Sequence, residues 1–188
     1  MNMTEITIAS AWRRILAGAI DLILILSILL FIGSLIPISK LTASILIIPY
    51  VTLGLLYVIL FHAKSGQTIG KAVLGIRVLK LNSKKIGWRE ALRRSSVDIF
   101  LSLHWVITIP LLVWQLPNDN FVSQGWTEMY HSIIKPALPT SFEILEYLGI
   151  IWGLSEFVTM LFNKKRRALH DFLAGTIVVQ SRFKKTKN

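Results

Sequence analysis

Four long apolar stretches dominate this chain: residues 15–36, 41–61, 97–116 and 144–162. Each supplies the roughly 20 helical residues that cross a hydrocarbon layer of about 30 Å, and no other stretch reaches that length. A backbone in lipid has to satisfy its own N–H and C=O groups, which makes such spans helical. The expected fold class is an all-α membrane protein, a bundle of about four transmembrane helices with a small cytoplasmic loop region, forming one domain over residues 1–188. Composition agrees: 53% of the residues are hydrophobic and 16% charged, where soluble domains carry about 25% charged. Pro49, inside the second stretch, is expected to kink it. The first stretch exceeds the roughly 7–15 apolar residues of a signal-peptide core and carries Asp21, so it is expected to be retained.

The charges sort by side. Of 21 Lys and Arg residues, only Lys40 and Lys135 fall on one side of a four-span arrangement. The others precede the first span, fill the loop 62–96, or follow the last span in the tail 163–188. The positive-inside rule then makes that loop and both termini cytoplasmic, leaves 117–143 as the outer loop, and places the chain in a cell (plasma or inner) membrane. The formal net charge of +11 is explained by orientation and by attraction to anionic lipid headgroups. No nucleic-acid-binding motif accompanies it. Cysteine is absent, so disulfides and thiolate metal sites are excluded.

The outer loop, Pro117 to Glu143, is rich in Asn, Gly and Pro and reads as irregular. Trp114, Trp126, Tyr130 and Tyr147 suit an aromatic belt at the outer interface. The inner loop is more structured. Val73 to Leu81 alternates partially, Asn82-Ser83 reads as a turn, and Trp88 to Arg94 is an amphipathic lead-in to the third span. Gly175 to Val179 is short and β-branched, and is a candidate to pair with the first strand segment.

Ionisable groups within spans cost about 2.5–3.5 kcal/mol each on insertion scales, so each needs a partner or a purpose. Asp21 lies on the order of 9 Å from the inner end of the first span, and Glu156 lies about as deep in the fourth. Asp98 opens the third, one turn after Arg94. Arg14 and Asp21 share a helix face with the small Ala17 or Gly18 between them, which would let another helix approach. Asp21, Asp98 and Glu156 therefore fall at similar depth. Either they are ion pairs with the inner Arg and Lys that fix helix register, or they form a cytoplasm-facing site for protons or cations. Gly149 and Gly153 make a GxxxG pattern for close helix packing, within the bundle or in a dimer.

Other motifs fail. Gly66 to Lys71 is one residue short of a phosphate-binding loop, and Ala72 stands where Ser or Thr would hold magnesium. His170-Asp171 has no spaced set of further ligands, so no metal site or other cofactor is expected. No nucleophile–base arrangement suggests an enzyme.

Three segments in order carry a resemblance: Trp12 to Asp21, Gly66 to Val78, and Arg167 to Thr176. Together they resemble the RDD family of multi-pass membrane proteins, over nearly the whole chain. The arginine and two aspartates of the family's name look like Arg14, Asp21 and Asp171, and the run Ala91 to Arg94 also suits its pattern. A transport role, including sodium/proton exchange, has been proposed for a relative. The fourth span departs from the three-span picture often drawn for the family. In the same picture Asp171 would pair with Arg14 or Arg167 and close the C-terminal segment against the first span.

Two functions stay open at this point. One is a small cation/proton-coupled transporter working through Asp21, Asp98 and Glu156; at four spans it would need a homo-oligomer for alternating access. The other is a non-catalytic membrane scaffold or accessory subunit with a basic cytoplasmic docking face. They divide on whether the intramembrane carboxylates line a wet cavity or are all paired.

Overall fold

A computed structural model describes residues 7–121 and 125–181. The tail residues Arg182, Lys184, Lys185 and Lys187 lie outside the described residues. In chain order the elements are α1 (Ala11–Leu35), α2 (Lys40–Ser65), α3 (Ile69–Val73), β1 (Ile76–Lys80), α4 (Trp88–Arg94), α5 (Ser96–Gln115), α6 (Trp126–Met129), α7 (Lys135–Ala137), α8 (Thr140–Phe162), α9 (Leu169–Ala174) and β2 (Thr176–Gln180). Four of them, α1, α2, α5 and α8, are long and apolar enough to cross a membrane. Their outer surfaces stay apolar: Leu30 is 73% exposed and Phe100 is 69% exposed. Lipid is the solvent that makes such surfaces tolerable, so this is an integral membrane protein.

The chain forms two compact units. The first takes Met1–Ile23, Tyr57–Ser96 and Ile151–Asn188. It holds the sheet, in which β1 and β2 pair antiparallel with Val78 opposite Val178. The strand expectations hold with shifted edges: Val73 belongs to α3, and β1 begins at Ile76. Alternation directs Ile76, Val78 and Val178 into a small core with Ala9, Ala17 and Ile86. The segment before α1 runs along β2, with the Ala9 N–H donating to Val178 O (3.0 Å) and Gln180 N–H donating to Thr7 O (2.9 Å). The turn after β1 places Ser83 at φ 65°.

The second unit takes Leu24–Leu56 and Val97–Ile150. Pro37 lies in a 3-10 turn, Ile36–Ile38, after α1, and Ser39 and Thr42 cap α2 reciprocally: Ser39 N–H donates to Thr42 Oγ1 (2.9 Å) and Thr42 N–H to Ser39 Oγ (3.1 Å). Helix α2 runs through Pro49, and α5 through Pro110. The core joins Ile36, Ala43, Ile47, Ile109 and Val113 to Phe121, Met129 and Ile134.

Those last three residues correct the reading of 117–143 as irregular. The segment contains a 3-10 turn at Asn118–Asn120, then α6, a π-helical turn at Tyr130–Ile134, and α7, and α8 already starts at Thr140. Buried Met129 and Ile134 supply the apolar anchor that lets short helices form there. The aromatic belt is corrected in part as well. Trp114 and Tyr147 are each 66% exposed, as interfacial side chains are. Trp126 instead packs inward, its indole N–H donating to Tyr50 OH at 3.0 Å, and Tyr130 packs against the same core.

Candidate functional site

Two carboxylates organise the sheet-bearing unit. Asp171 sits in the first turn of α9, where its own carboxylate accepts the Ala168 N–H (3.0 Å) and caps the helix. That geometry leaves both oxygens facing cations. Arg14 of α1 donates to Oδ2 at 2.7 Å. Arg94, the last residue of α4, donates to Oδ1 and also to Thr176 Oγ1 (2.6 Å), and that hydroxyl donates to Oδ1 at 3.1 Å. Arg14 also donates to the backbone carbonyl of Arg166. Asp171 is fully buried and Arg94 nearly so. Burial alone would raise the Asp171 carboxyl, but the charges of Arg94, His170 and Arg14 outweigh it and hold the group well below the usual carboxylate range. One carboxylate thus ties α1, α4, α9 and β2 together.

Arg167, the alternative partner, contributes differently. Its guanidinium donates to the Asp171 backbone carbonyl (2.8 Å) and to Thr176 O (3.0 Å), and lies 4.0 Å from the Phe172 ring centroid.

Asp21 is the second peg. Its Oδ1 accepts from Tyr57 OH (2.6 Å) and Gly70 N–H (2.7 Å), and its Oδ2 from Thr68 Oγ1 (2.5 Å). Thr68 N-caps α3, and the Ile69 N–H donates to Tyr57 OH at 2.9 Å. The first N–H groups of α3, which have no partner inside the helix, therefore end on Asp21 and its neighbours. Gly70 makes this approach possible. A Cβ there would stand 2.1 Å from Ala17 O and 2.9 Å from Asp21 Oδ1. Ala17, fully buried, is the small residue that receives the contact; among the described residues a Cβ on Gly18 would meet no atom within 4 Å. The segment that fails as a phosphate-binding loop is a cradle for the chain's own aspartate.

Beside this cradle Lys71 Nζ lies 2.8 Å from Nε2 of buried His62. Burial, then Arg94 and Arg14, push the Lys71 ammonium down to about 7. Glu156 in α8 pairs with His170 Nδ1 and accepts the His170 N–H at 3.3 Å. Burial and Arg94 lower the His170 pKa.

The structure therefore brings Arg14 and Asp171 together and gives Asp21 and Glu156 separate partner sets. Asp98 opens α5 in the other unit. Arg94 itself reaches Asp171, because α4 ends at Arg94 and turns that side chain inward. Among the described residues no atom lies within 4 Å of a Cβ built on Gly149 or Gly153. Among the described residues no three His, Asp or Glu side chains are grouped to hold a metal ion. Sequence reasoning missed Tyr57, His62 and Thr176 as partners, and did not assign Thr68 and Gly70 to Asp21. The pattern Thr68-x-Gly70, a cap followed by a residue without Cβ, is the signal that a carboxylate docks there.

Neither a curated protein nor a solved structure matches the chain. The RDD family model matches residues 8–175, which takes in both pegs and Arg14. With Arg14, Asp21 and Asp171 standing at the three positions that hold the sheet-bearing unit together, the chain belongs to the RDD family.

Proposed function

We propose that the protein is a non-catalytic membrane scaffold or accessory subunit, whose spans carry a closed, basic cytoplasmic module for docking. The observation that supports this is the pairing of its carboxylates. Asp21 has both oxygens occupied by donors of its own chain, Asp171 lies between two arginines, and Glu156 is engaged by His170. Buried charges arranged this way fix the register of elements. The asymmetry of Lys and Arg supports cytoplasmic termini in a cell membrane.

A second reading, cation/proton exchange, draws on the Lys71–His62 pair, because a lysine titrating at about 7 can exchange protons under physiological conditions. Proton flux in liposomes holding the purified chain, driven by sodium, lithium or potassium, separates the two. The scaffold reading expects flux no greater than in protein-free liposomes. Flux abolished by Asp21→Asn or Lys71→Met, with the variants still folded, would overturn it.

A further inference from the structure

Helix α4 ends at Arg94 and the membrane helix α5 begins at Ser96, so α4 lies within a residue of a span. Its buried side is Ala91 and Arg94; its exposed side pairs an apolar row, Trp88 and Leu92, with a basic row, Arg89 and Arg93. Both rows follow i, i+4 spacing, so they run side by side along one surface. Helix α9 begins at Leu169, after a turn that follows the end of α8 at Phe162. Asn163 follows α8 directly and ties the next turn back, its side-chain N–H donating to Arg167 O (2.6 Å) and its Oδ1 accepting the Arg167 N–H (2.8 Å). Helices α4 and α9 pack on each other, joined by Arg94 and Asp171. Helix α9 leaves Phe172 and Leu173 about half exposed, and the turn before it exposes Lys164, Lys165 and Arg166.

We propose that α4 and α9 form an interfacial anchor, with Trp88, Leu92, Phe172 and Leu173 set into the headgroup layer of an anionic leaflet and the flanking Arg and Lys on its phosphates. Large apolar side chains beside arginines, held at the end of a span, are the chemistry of a surface that lies in the interface. The occupant is lipid rather than a protein groove because the apolar row is narrow and fringed by cations, and because both helices are tethered at span ends. A membrane needs no further recognition than that charge complementarity. The anchor rests on the orientation in the scaffold reading only for which leaflet it meets.

The chain has no cysteine, so single-cysteine variants of the full protein carry a spin label without background. Labels at Leu92→Cys and Leu173→Cys are compared with Asn82→Cys in the exposed turn and Leu148→Cys in a span. The protein sits in nanodiscs of phosphatidylcholine with or without phosphatidylglycerol. With phosphatidylglycerol, labels at 92 and 173 are expected to collide with oxygen in preference to a nickel chelate, as at 148, while the label at 82 shows the reverse. Arg89→Gln with Arg93→Gln should abolish the preference at 92. Labels at 92 and 173 that behave as at 82 in both lipids would overturn the anchor, as would labels shielded from both reagents, which would mean a second copy or another protein covers them. Nanodiscs have no fixed side, so this result is independent of orientation; thiol access at Asn82→Cys in intact cells reads orientation separately.

Discussion

The two units of this protein hold themselves together by different chemistry. In the sheet-bearing unit the buried apolar set is small, mostly Ala, Ile and Val, and the long-range ties are charged: Arg14 and Arg94 on Asp171, and the α3 cradle on Asp21. In the other unit the ties are mainly apolar and aromatic, with Trp126 edge-on to Tyr50 at 5.3 Å and seated where a Gly33 Cβ would be 3.2 Å away, and a lysine joins them without a carboxylate: Lys40 Nζ donates to Leu116 O at 2.9 Å. The contrast follows from what each segment has to organise. Short helices and two five-residue strands bury too little apolar surface to fix their own positions, so a few fully partnered charges do it. Long helices with a facing apolar loop have area to spare, and long-range hydrogen bonds such as Trp126–Tyr50 and Lys40–Leu116 add direction without a buried ion pair.

Substitutions can break this contrast at graded cost. Asp171→Asn leaves two arginines without their counter-ion, Arg94 being nearly buried, and is expected to lower stability by about 3–5 kcal/mol. Unfolding of the purified protein in mixed detergent, followed by circular dichroism, measures this. The Asp171 contribution is present at neutral pH and is lost as pH falls below the ordinary carboxylate range toward its depressed native pKa. Gly70→Ala pushes a methyl against Ala17 O and should cost on the order of 1–3 kcal/mol in the same assay, with proteolytic nicking appearing near α3. Trp126→Phe removes the bond to Tyr50 OH, worth about 0.5–1.5 kcal/mol, together with part of the indole's packing, and its effect should be confined to the second unit.

A change of slope with pH is expected as well. Lys71 has a native pKa of about 7 against an ordinary lysine value of 10.5, so the unfolded chain binds the extra proton between those values. Wild type should therefore gain stability as pH rises from about 7 toward 10, and Lys71→Met should flatten that rise. An unchanged slope would mean that Lys71 stays hydrated.

Much of the fold is legible in the sequence because its strongest constraint, the length of the apolar runs, is local. The β-branched run at Thr176–Val179 and the amphipathic Trp88–Arg94 are local too, and both are elements of the fold. The partners in the site are not local. Arg94 meets Asp171 across 77 residues, whereas the sequence offers it Asp98 one turn on. Asp21 takes Thr68 from 47 residues away. Arg14 and Asp171 could be named as a pair only through the family resemblance, since nothing in spacing relates them. The helices of 126–137 are hidden for another reason: Gly125, Pro136 and Pro139 signal turns, while the burial of Met129 and Ile134 that orders them depends on α2 and α5.

Hydrogen–deuterium exchange of the reconstituted protein is the most direct test of the claim that Asp21 and Asp171 are structural ties. Asp171→Asn should raise exchange across β1, β2 and α9, and Asp21→Asn across α3, with residues 126–137 unchanged in both. Unchanged exchange in the sheet-bearing unit, together with loss of a cation-driven proton flux, would contradict the claim and make those carboxylates working groups.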